Sequence, residues 1–440
     1  MLLGLDSLAA IRRDQLGFFT TLHQRHGDAV QLRLGPYRNW VLYHPDHVWA
    51  VLSTHAKDFV RFEPLMGVLA QWNGASLMIA EGEAWRRQRR MILPGFRTAN
   101  LAAYAVSVVD LADAMCASWS SAPMPGAPVD VDAAFSRLAL RIAAKTMFSC
   151  DAIDDEARIS EIVETLTEVA FEETMRIAPV PGWLPTPLNR KKREAIAALD
   201  RFITTLVAGH RERTGPNADD PLSLVLRNLP KGSTLVRDEA VTLLLAGHET
   251  TGAALSWIAH LLSARPALTA ELQQEIDVVL RGRMPTYADI PALACVERVV
   301  KEALRLYPPA YTALPRRATS AVHLDAVTIA RGDIVQMPTY CIHRDARWFP
   351  DPERFDPGRF VGEPSWPHGA YMPFGVGPRM CVAMSFAMME LVLVVTTLLR
   401  SMTPLAASDH VMPSPRSSLR PKGGLRLRWL PRETRSIVEI

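Results

Sequence analysis

Eight residues near the C-terminal end, Phe374-Gly375-Val376-Gly377-Pro378-Arg379-Met380-Cys381, constrain this chain more than any other stretch. They set one cysteine behind a glycine turn and ahead of a long apolar run. Gly375 and Gly377 permit backbone angles that a residue with a Cβ resists, so the loop can double back tightly against a flat cofactor. From Val382 to Leu399 the pattern predicts a helix that starts at Cys381. First-turn amides and the positive helix end would stabilise a sulfur anion there, and such a thiolate can bind iron. A lone cysteine is more often a buried structural thiol. The aromatic, the two glycines and the arginine around this one favour a ligand.

Over 440 residues, 48% hydrophobic and 22% charged side chains give a globular balance with ample core. A net charge of +3 is too mild to indicate a nucleic-acid partner. Cys116, Cys150, Cys295, Cys341 and Cys381 show neither paired zinc spacing nor a disulfide framework, which fits a reducing interior. The start, Met1-Leu2-Leu3-Gly4-Leu5-Asp6, has no cationic leader. The strongest apolar run, Leu391 to Leu399, is bounded by Glu390 and Arg400 and is too short to span a bilayer. The expectation is a cytoplasmic protein without a membrane span.

No repeat or low-complexity tract divides the chain, so residues 1–440 read as a single domain. Near the N-terminal end, Ala29–Leu34 and Trp40–Tyr43 alternate like a β-hairpin turned at Gly35-Pro36. From Leu101 to about Leu280 the period is helical, with loops at Pro123–Gly126 and Pro179–Gly182. Strands are expected again at Val327–Ile329, Asp333–Met337 and Gly423–Trp429. The fold class is mainly α with small β-sheets.

A second chemical segment, Ala246-Gly247-His248-Glu249-Thr250-Thr251, sits inside a long apolar helix expected from about Asp238 to Leu262. Ala246 and Thr250 are four apart and share a face, and Gly247 can loosen the helix locally. A hydroxyl beside such an opening can hold water or dioxygen. Equally, Thr250 can bond the carbonyl four residues back. His248 points off that face and reads as structural. In Lys301–Pro309, Glu302 and Arg305 are three apart and predict a salt bridge. Trp85-Arg86-Arg87-Gln88-Arg89-Arg90 is a basic cluster in which Trp85 and Arg89 share one helical face.

The cysteine loop resembles the haem-binding loop of the cytochrome P450 family, including the aromatic seven positions before the cysteine and the arginine two before it. Ala383 departs from the pattern, standing where the family usually has glycine. Ala246–Thr251 is similar to the oxygen-activation stretch of the same family, and the likeness covers about His23 to Leu430. It implies haem b between the long central helix and the cysteine-loop helix, with Cys381 as axial thiolate and Phe374, Gly375, Arg379 and Ala246 around it. By the same resemblance Thr250 hydrogen-bonds dioxygen, and Glu249 with ordered water relays protons. Trp85, Arg89, Arg316 and Arg379 would reach the haem propionates, with Arg317 a weaker candidate. Glu302, Arg305 and Arg354, the last in Pro352-Glu353-Arg354-Phe355, would form a buried structural network.

The implied activity is that of a monooxygenase that uses O2 to hydroxylate or epoxidise a small apolar organic substrate such as a fatty acid, terpenoid, steroid or aromatic. No glycine-rich dinucleotide fingerprint and no iron–sulfur cysteine cluster is present, so electrons would come from a separate ferredoxin or flavodoxin with its reductase. Arg86, Arg87 and Arg90 read as a solvated basic face on which an acidic carrier could dock. The rival readings are a peroxide-using or oxidative-coupling enzyme and a non-catalytic haem sensor or carrier; intact Glu249 and Thr250 argue for the dioxygen route. The family analogy puts the substrate wall at Phe62, Leu65, Met66, Leu69, Met78, Phe171, Met175, Leu245, Ala310–Leu314 and Ser417–Leu419. Arg61 either pairs with a substrate carboxylate or faces water.

Overall fold

Thirty residues, Thr234–Ser263, form a central helix that is buried along most of its length. It starts ahead of the expected Asp238 because nothing from Thr234 onward breaks a helix, and Val236 already packs into the core. The helix stays regular through Gly247. A Cβ there would approach Met147 Cε to 3.3 Å and Ala143 Cβ to 3.5 Å, so this glycine permits close helix packing and causes no break. At Gly252 an added Cβ would lie 3.0 Å from Ser136 Cα, against the same neighbour, the helix Val131–Phe148. That neighbour is capped by Asp130, whose carboxylate accepts the Ala133 amide at 3.2 Å. The computed structural model describes residues 4–432 apart from 122–123, 125, 152–155, 177–179, 216–217, 326 and 407–410. Met1–Leu3, Pro123, Pro125 and Pro179, named above in leader and loop readings, lie outside the described residues.

Around the central helix stand Thr98–Ser120, Glu156–Thr174, Pro187–Arg213, Pro266–Leu280, Ala294–Leu306 and Met384–Ser401. Proline opens two of them, where its missing N–H costs nothing. Their apolar stripes meet in one large core that fully buries Phe135, Leu199, Leu272, Val299 and Leu393. The cysteine helix begins at Met384 and not at Cys381, since Val382 and Ala383 form a turn. Thr98–Ser120 and Met384–Ser401 are both long and apolar enough to cross a membrane. The sequence reading judged only the run Leu391–Leu399 too short to span a bilayer, whereas the whole helix that contains it is long enough. In the cysteine helix 67% of that apolar window is buried inside the protein, so its composition is that of core.

The sheets are small. Ala29–Leu34 pairs antiparallel with Tyr37–Leu42 about Gly35, whose φ of +57° suits the turn. Tyr37–Leu42 runs parallel to Ile334–Met337, and Ala313–Ala318 and Phe59–Arg61 complete five strands. Val327–Ile329 pairs with Val322–Leu324, and Arg426–Pro431 with Met402–Ala406. The architecture is mainly helical with small sheets, as the sequence led one to expect.

Candidate functional site

Between the central helix and the cysteine loop lies a cavity of about 1430 Å3. A pocket for one small molecule is commonly about 300–1,000 Å3, so this one has room for a flat cofactor and a second molecule. Cys381, Phe374 and Gly375 line it together with Ala246, Gly247 and Thr250 of the central helix. Among the described residues Cys381 is the only cysteine on the cavity, and its exposure is to that enclosed space. Burial pushes its thiol pKa up, while the Ala383 amide and the Arg89 charge pull the other way.

Local hydrogen bonds shape the loop. The Cys381 amide donates to Phe374 O at 2.9 Å, and the Gly375 amide to Met372 O at 3.0 Å. Gly375 and Gly377 have φ of +72° and +73°. A Cβ on Gly377 would come within 2.1 Å of Leu52 O, so only glycine lets the loop close against the 50–54 segment. Ala383 has φ −102°, a backbone that does not require glycine, and its methyl group lines the cavity.

On the opposite wall, Thr250 Oγ1 donates to Ala246 O at 2.8 Å while opening on the cavity. Both behaviours considered for this threonine therefore coexist. Glu249 also lines the cavity, but it is held from the side: its Oε1 accepts from Ser417 Oγ and from Ser418 Oγ, the latter at 3.1 Å. Arg420 donates to the Glu249 backbone carbonyl at 3.1 Å. No direct hydrogen bond joins Glu249 to Thr250 among the described residues. His248 is buried away from the cavity with neither ring nitrogen partnered among the described residues, and burial pushes its pKa down to about 3.

Three acids on this cavity, Glu173, Glu239 and Glu390, were missed. Glu390 of the cysteine helix is buried, accepts from Thr251 Oγ1 at 3.3 Å, and has its pKa pushed up to about 8 by burial. The sequence reading treated it only as the border of an apolar run. Ala383, Ala387 and Glu390, at helical spacing on one face, were the available signal.

A basic corner closes one side of the cavity. Arg379 lies over the Trp85 ring at 4.2 Å, and Arg89 at 5.9 Å from the same ring donates to Met380 O at 2.8 Å. Strand register sets Arg61 opposite Arg316, an unfavourable pairing of like charges. Arg61 reaches Glu81 at 2.7 Å, and Arg379 pairs with the same carboxylate. Arg61 therefore neither faces water nor stands free for a substrate carboxylate. Burial, then repulsion from Arg61, pushes the Arg316 pKa down to about 10; Arg379 falls to about 10 for the same two reasons. Arg316 and Arg379 line the cavity, whereas Trp85, Arg89 and Arg61 stand outside its lining. Arg317 is turned away and bound to Glu63 at 2.8 Å. The corner thus gathers Arg61, Arg316 and Arg379 around the carboxylate of Glu81, with Arg89 near enough to Arg379 to repel it. That surplus of positive charge fits a cofactor carrying two carboxylates, as haem does.

Behind the loop, Arg305 Nε and Nη2 donate to Glu302 at 2.7 and 2.8 Å, with both side chains fully buried. The next guanidinium on Glu302 is that of Arg359, at 3.3 Å, and the Asp356 amide adds a bond at 2.9 Å. Arg354, expected there, enters only through its backbone carbonyl, which accepts from Arg305 at 3.1 Å. Its side chain is exposed because the chain turns at Asp351, whose φ is +48°, before reaching it. Of the anticipated substrate wall, Phe62, Leu65, Leu69, Met78, Phe171, Met175, Leu245, Ala310–Leu314, Ser417 and Ser418 line the cavity. Met66 and Leu419 are buried in the protein and do not line it.

Comparison with known proteins agrees with this geometry. The cytochrome P450 family profile matches residues 5–427. The chain is 36% identical over 403 residues to a cyclooctat-9-en-7-ol 5-monooxygenase of Streptomyces melanosporofaciens, covering 88% of this chain and 85% of that protein. It is 33% identical over 419 residues to cyclooctatin synthase of the same organism, covering 93% and 88%. A pentalenene oxygenase of Streptomyces avermitilis is 31% identical over 395 residues, covering 88% and 86%.

Proposed function

We propose that this chain, which belongs to the cytochrome P450 family, oxidises a terpenoid, inserting one atom of dioxygen with electrons from a separate carrier. It is a cytochrome P450 monooxygenase with a haem-thiolate cofactor. The observation that carries the substrate class is a roomy, mostly apolar cavity shared by Cys381 and Thr250, in a chain whose relatives named above include a pentalenene oxygenase.

Cys381, Phe374 and Gly375 would hold the haem from below, and Arg316 and Arg379 would take its propionates with Trp85 and Arg89 behind them. When bound, the haem supplies oxygen activation, and its thiolate ligand favours cleavage of the O–O bond. The residues around it do the positioning. Thr250 keeps its hydroxyl oxygen on the cavity while its proton rests on Ala246 O, so it can accept from water and rotate to donate. Glu249, fixed by Ser417 and Ser418, would pass protons by way of water and not by direct contact. The apolar side chains Phe62, Leu65, Leu69 and Met78, with Ala310, Ala313 and Leu314, would hold a hydrocarbon skeleton by shape.

The electron carrier would be a ferredoxin or flavodoxin with its reductase, in the cytoplasm, acting on a single haem domain. Arg86 and Arg90 are exposed and only loosely tied to Glu83, so they remain usable by an acidic carrier. The test is turnover with ferredoxin, its reductase, NADPH and a panel of terpenes, read by product mass. Oxidised terpenes are expected. Turnover of fatty acids alone would reject the terpenoid assignment, and equal turnover driven by hydrogen peroxide would reject the dioxygen route.

A further inference from the structure

The cavity is not uniformly apolar. Along the central helix, Glu239, Thr242, Leu243, Ala246 and Thr250 all line it, at spacings that keep them on one face. Glu239 stands two turns before Ala246. At about 1.5 Å per residue, its carboxyl lies roughly 10 Å along the axis from Ala246 and about 16 Å from Thr250.

Glu239 is fully buried, and its side chain has one partner among the described residues: the Leu77 amide, at 3.2 and 3.1 Å from its two oxygens. Among the described residues no cation forms an ion pair with it. Arg237, the nearest basic residue in sequence, is committed to Asp200, Asp238 and Trp72 O. A carboxyl group offers about four acceptor positions, so one amide leaves most of them open toward the cavity. Beside it Thr242 Oγ1 is within 3.1 Å of Asn73 Oδ1 and 2.6 Å of Ser76 Oγ, which extends a polar patch in the wall. Burying a carboxyl against an apolar space with so few partners is costly unless a ligand completes it. Burial pushes the Glu239 pKa up to about 7, so at neutral pH it exchanges readily between accepting and donating forms.

The geometry points to Glu239 as a substrate anchor that hydrogen-bonds a hydroxyl already present on the terpenoid, remote from the carbon to be oxidised. The inference rests on the terpenoid reading above and narrows it. A hydroxyl donor held at Glu239 leaves the far end of the skeleton beside Thr250 and Cys381. A hydrocarbon of equal size would leave the carboxyl with open acceptor positions. The reaction that supplies this substrate must then be one that installs a hydroxyl, either a cyclisation quenched by water or an earlier oxygenation.

The test is binding to the haem-loaded protein, by spectral titration and by calorimetry, with matched pairs: cedrane and cedrol, phytane and phytanol, dodecane and 1-dodecanol. In the unaltered protein the alcohol of a bound pair should be at least tenfold tighter than its hydrocarbon. Glu239→Leu should reduce that ratio to about one, with hydrocarbon affinity unchanged or improved. Glu239→Gln keeps an acceptor for Leu77 and serves if the leucine variant does not fold; its ratio should fall about threefold. No alcohol preference in the unaltered protein, or a ratio that stays at its original value in whichever variant folds, overturns the proposal. If only the dodecane pair binds, the terpenoid reading fails while the ratio still decides the role of Glu239. Failure of every pair to bind overturns both.

Discussion

Arg305 grips Glu302 through two parallel hydrogen bonds, at 2.7 and 2.8 Å, and neither side chain reaches solvent. A fork-to-fork pair of this kind fixes orientation as well as charge. Glu302→Ala would leave Arg305 fully buried without its counter-ion and deprive Arg359 and the Asp356 amide of an acceptor. The expected loss is roughly 3–5 kcal/mol, enough to prevent stable haem loading. Haem content of the purified variant and its urea midpoint measure this; full haem content would contradict it.

Arg354 and Arg359 separate cleanly. Arg354→Ala removes an exposed side chain and should change stability by less than about 0.5 kcal/mol. Arg359→Ala removes the second guanidinium from Glu302 and its bond to Asp351 O, at 2.9 Å, and should cost more than about 1 kcal/mol. Paired urea titrations decide between them, and the reverse ranking would restore Arg354 to the network.

Thr250→Ala should leave folding nearly intact, because the hydroxyl satisfies only a carbonyl of its own helix. Its effect should appear in coupling. A larger share of the consumed NADPH is expected to emerge as hydrogen peroxide, with Thr250→Ser close to the original protein. Unaltered peroxide yield in Thr250→Ala would remove the threonine from proton handling.

Glu390 gives the stability a pH dependence of definite sign. Its folded pKa of about 8 lies above the ordinary 4.5, so the unfolded chain releases this proton first. The folded state therefore suffers no penalty from it below about pH 4.5, and loses stability as pH rises toward 8, by at most about 1.4 kcal/mol per unit. Glu390→Gln abolishes that slope. Its stability relative to the unaltered protein should grow between pH 5 and about 8 and then level off. A difference that stays constant across urea titrations at three pH values would refute the account.

Cys381→Ala tests the ligand directly. The sulfur opens on the cavity and supports no core packing, so the fold should persist. The strongly red-shifted absorbance of the reduced carbon monoxide adduct, the mark of a thiolate-ligated haem, should vanish. Its survival would move the ligand elsewhere.

What the sequence revealed was mostly local. Gly375 and Gly377 are legible because positive φ is a property of single residues, and the hairpin at Gly35 because alternation and turn chemistry are adjacent in the chain. The choice of Arg359 over Arg354 is different in kind. It depends on a turn at Asp351 and a helical turn at Pro357–Phe360, which together aim one guanidinium inward and the other out. Arg61 and Glu81 were equally hidden. Only the pairing of Phe59–Arg61 with Ala313–Ala318, strands more than two hundred residues apart, places Arg61 opposite Arg316. Glu390 and Glu239 were hidden for a third reason: an acid in an apolar helix reads as a border or a surface position until the packing shows a cavity beside it.

The corner at Glu81 has a consequence for the protein's life in its host. Its arginines come from four distant parts of the chain, and one carboxylate does not offset their mutual repulsion. A dianionic cofactor seated there would relieve that repulsion, so its binding free energy would add to the stability of the folded chain. Chains folded without haem would be the less stable ones and the first to be lost to proteases. The arginines would thereby tie the survival of the enzyme to its supply of haem.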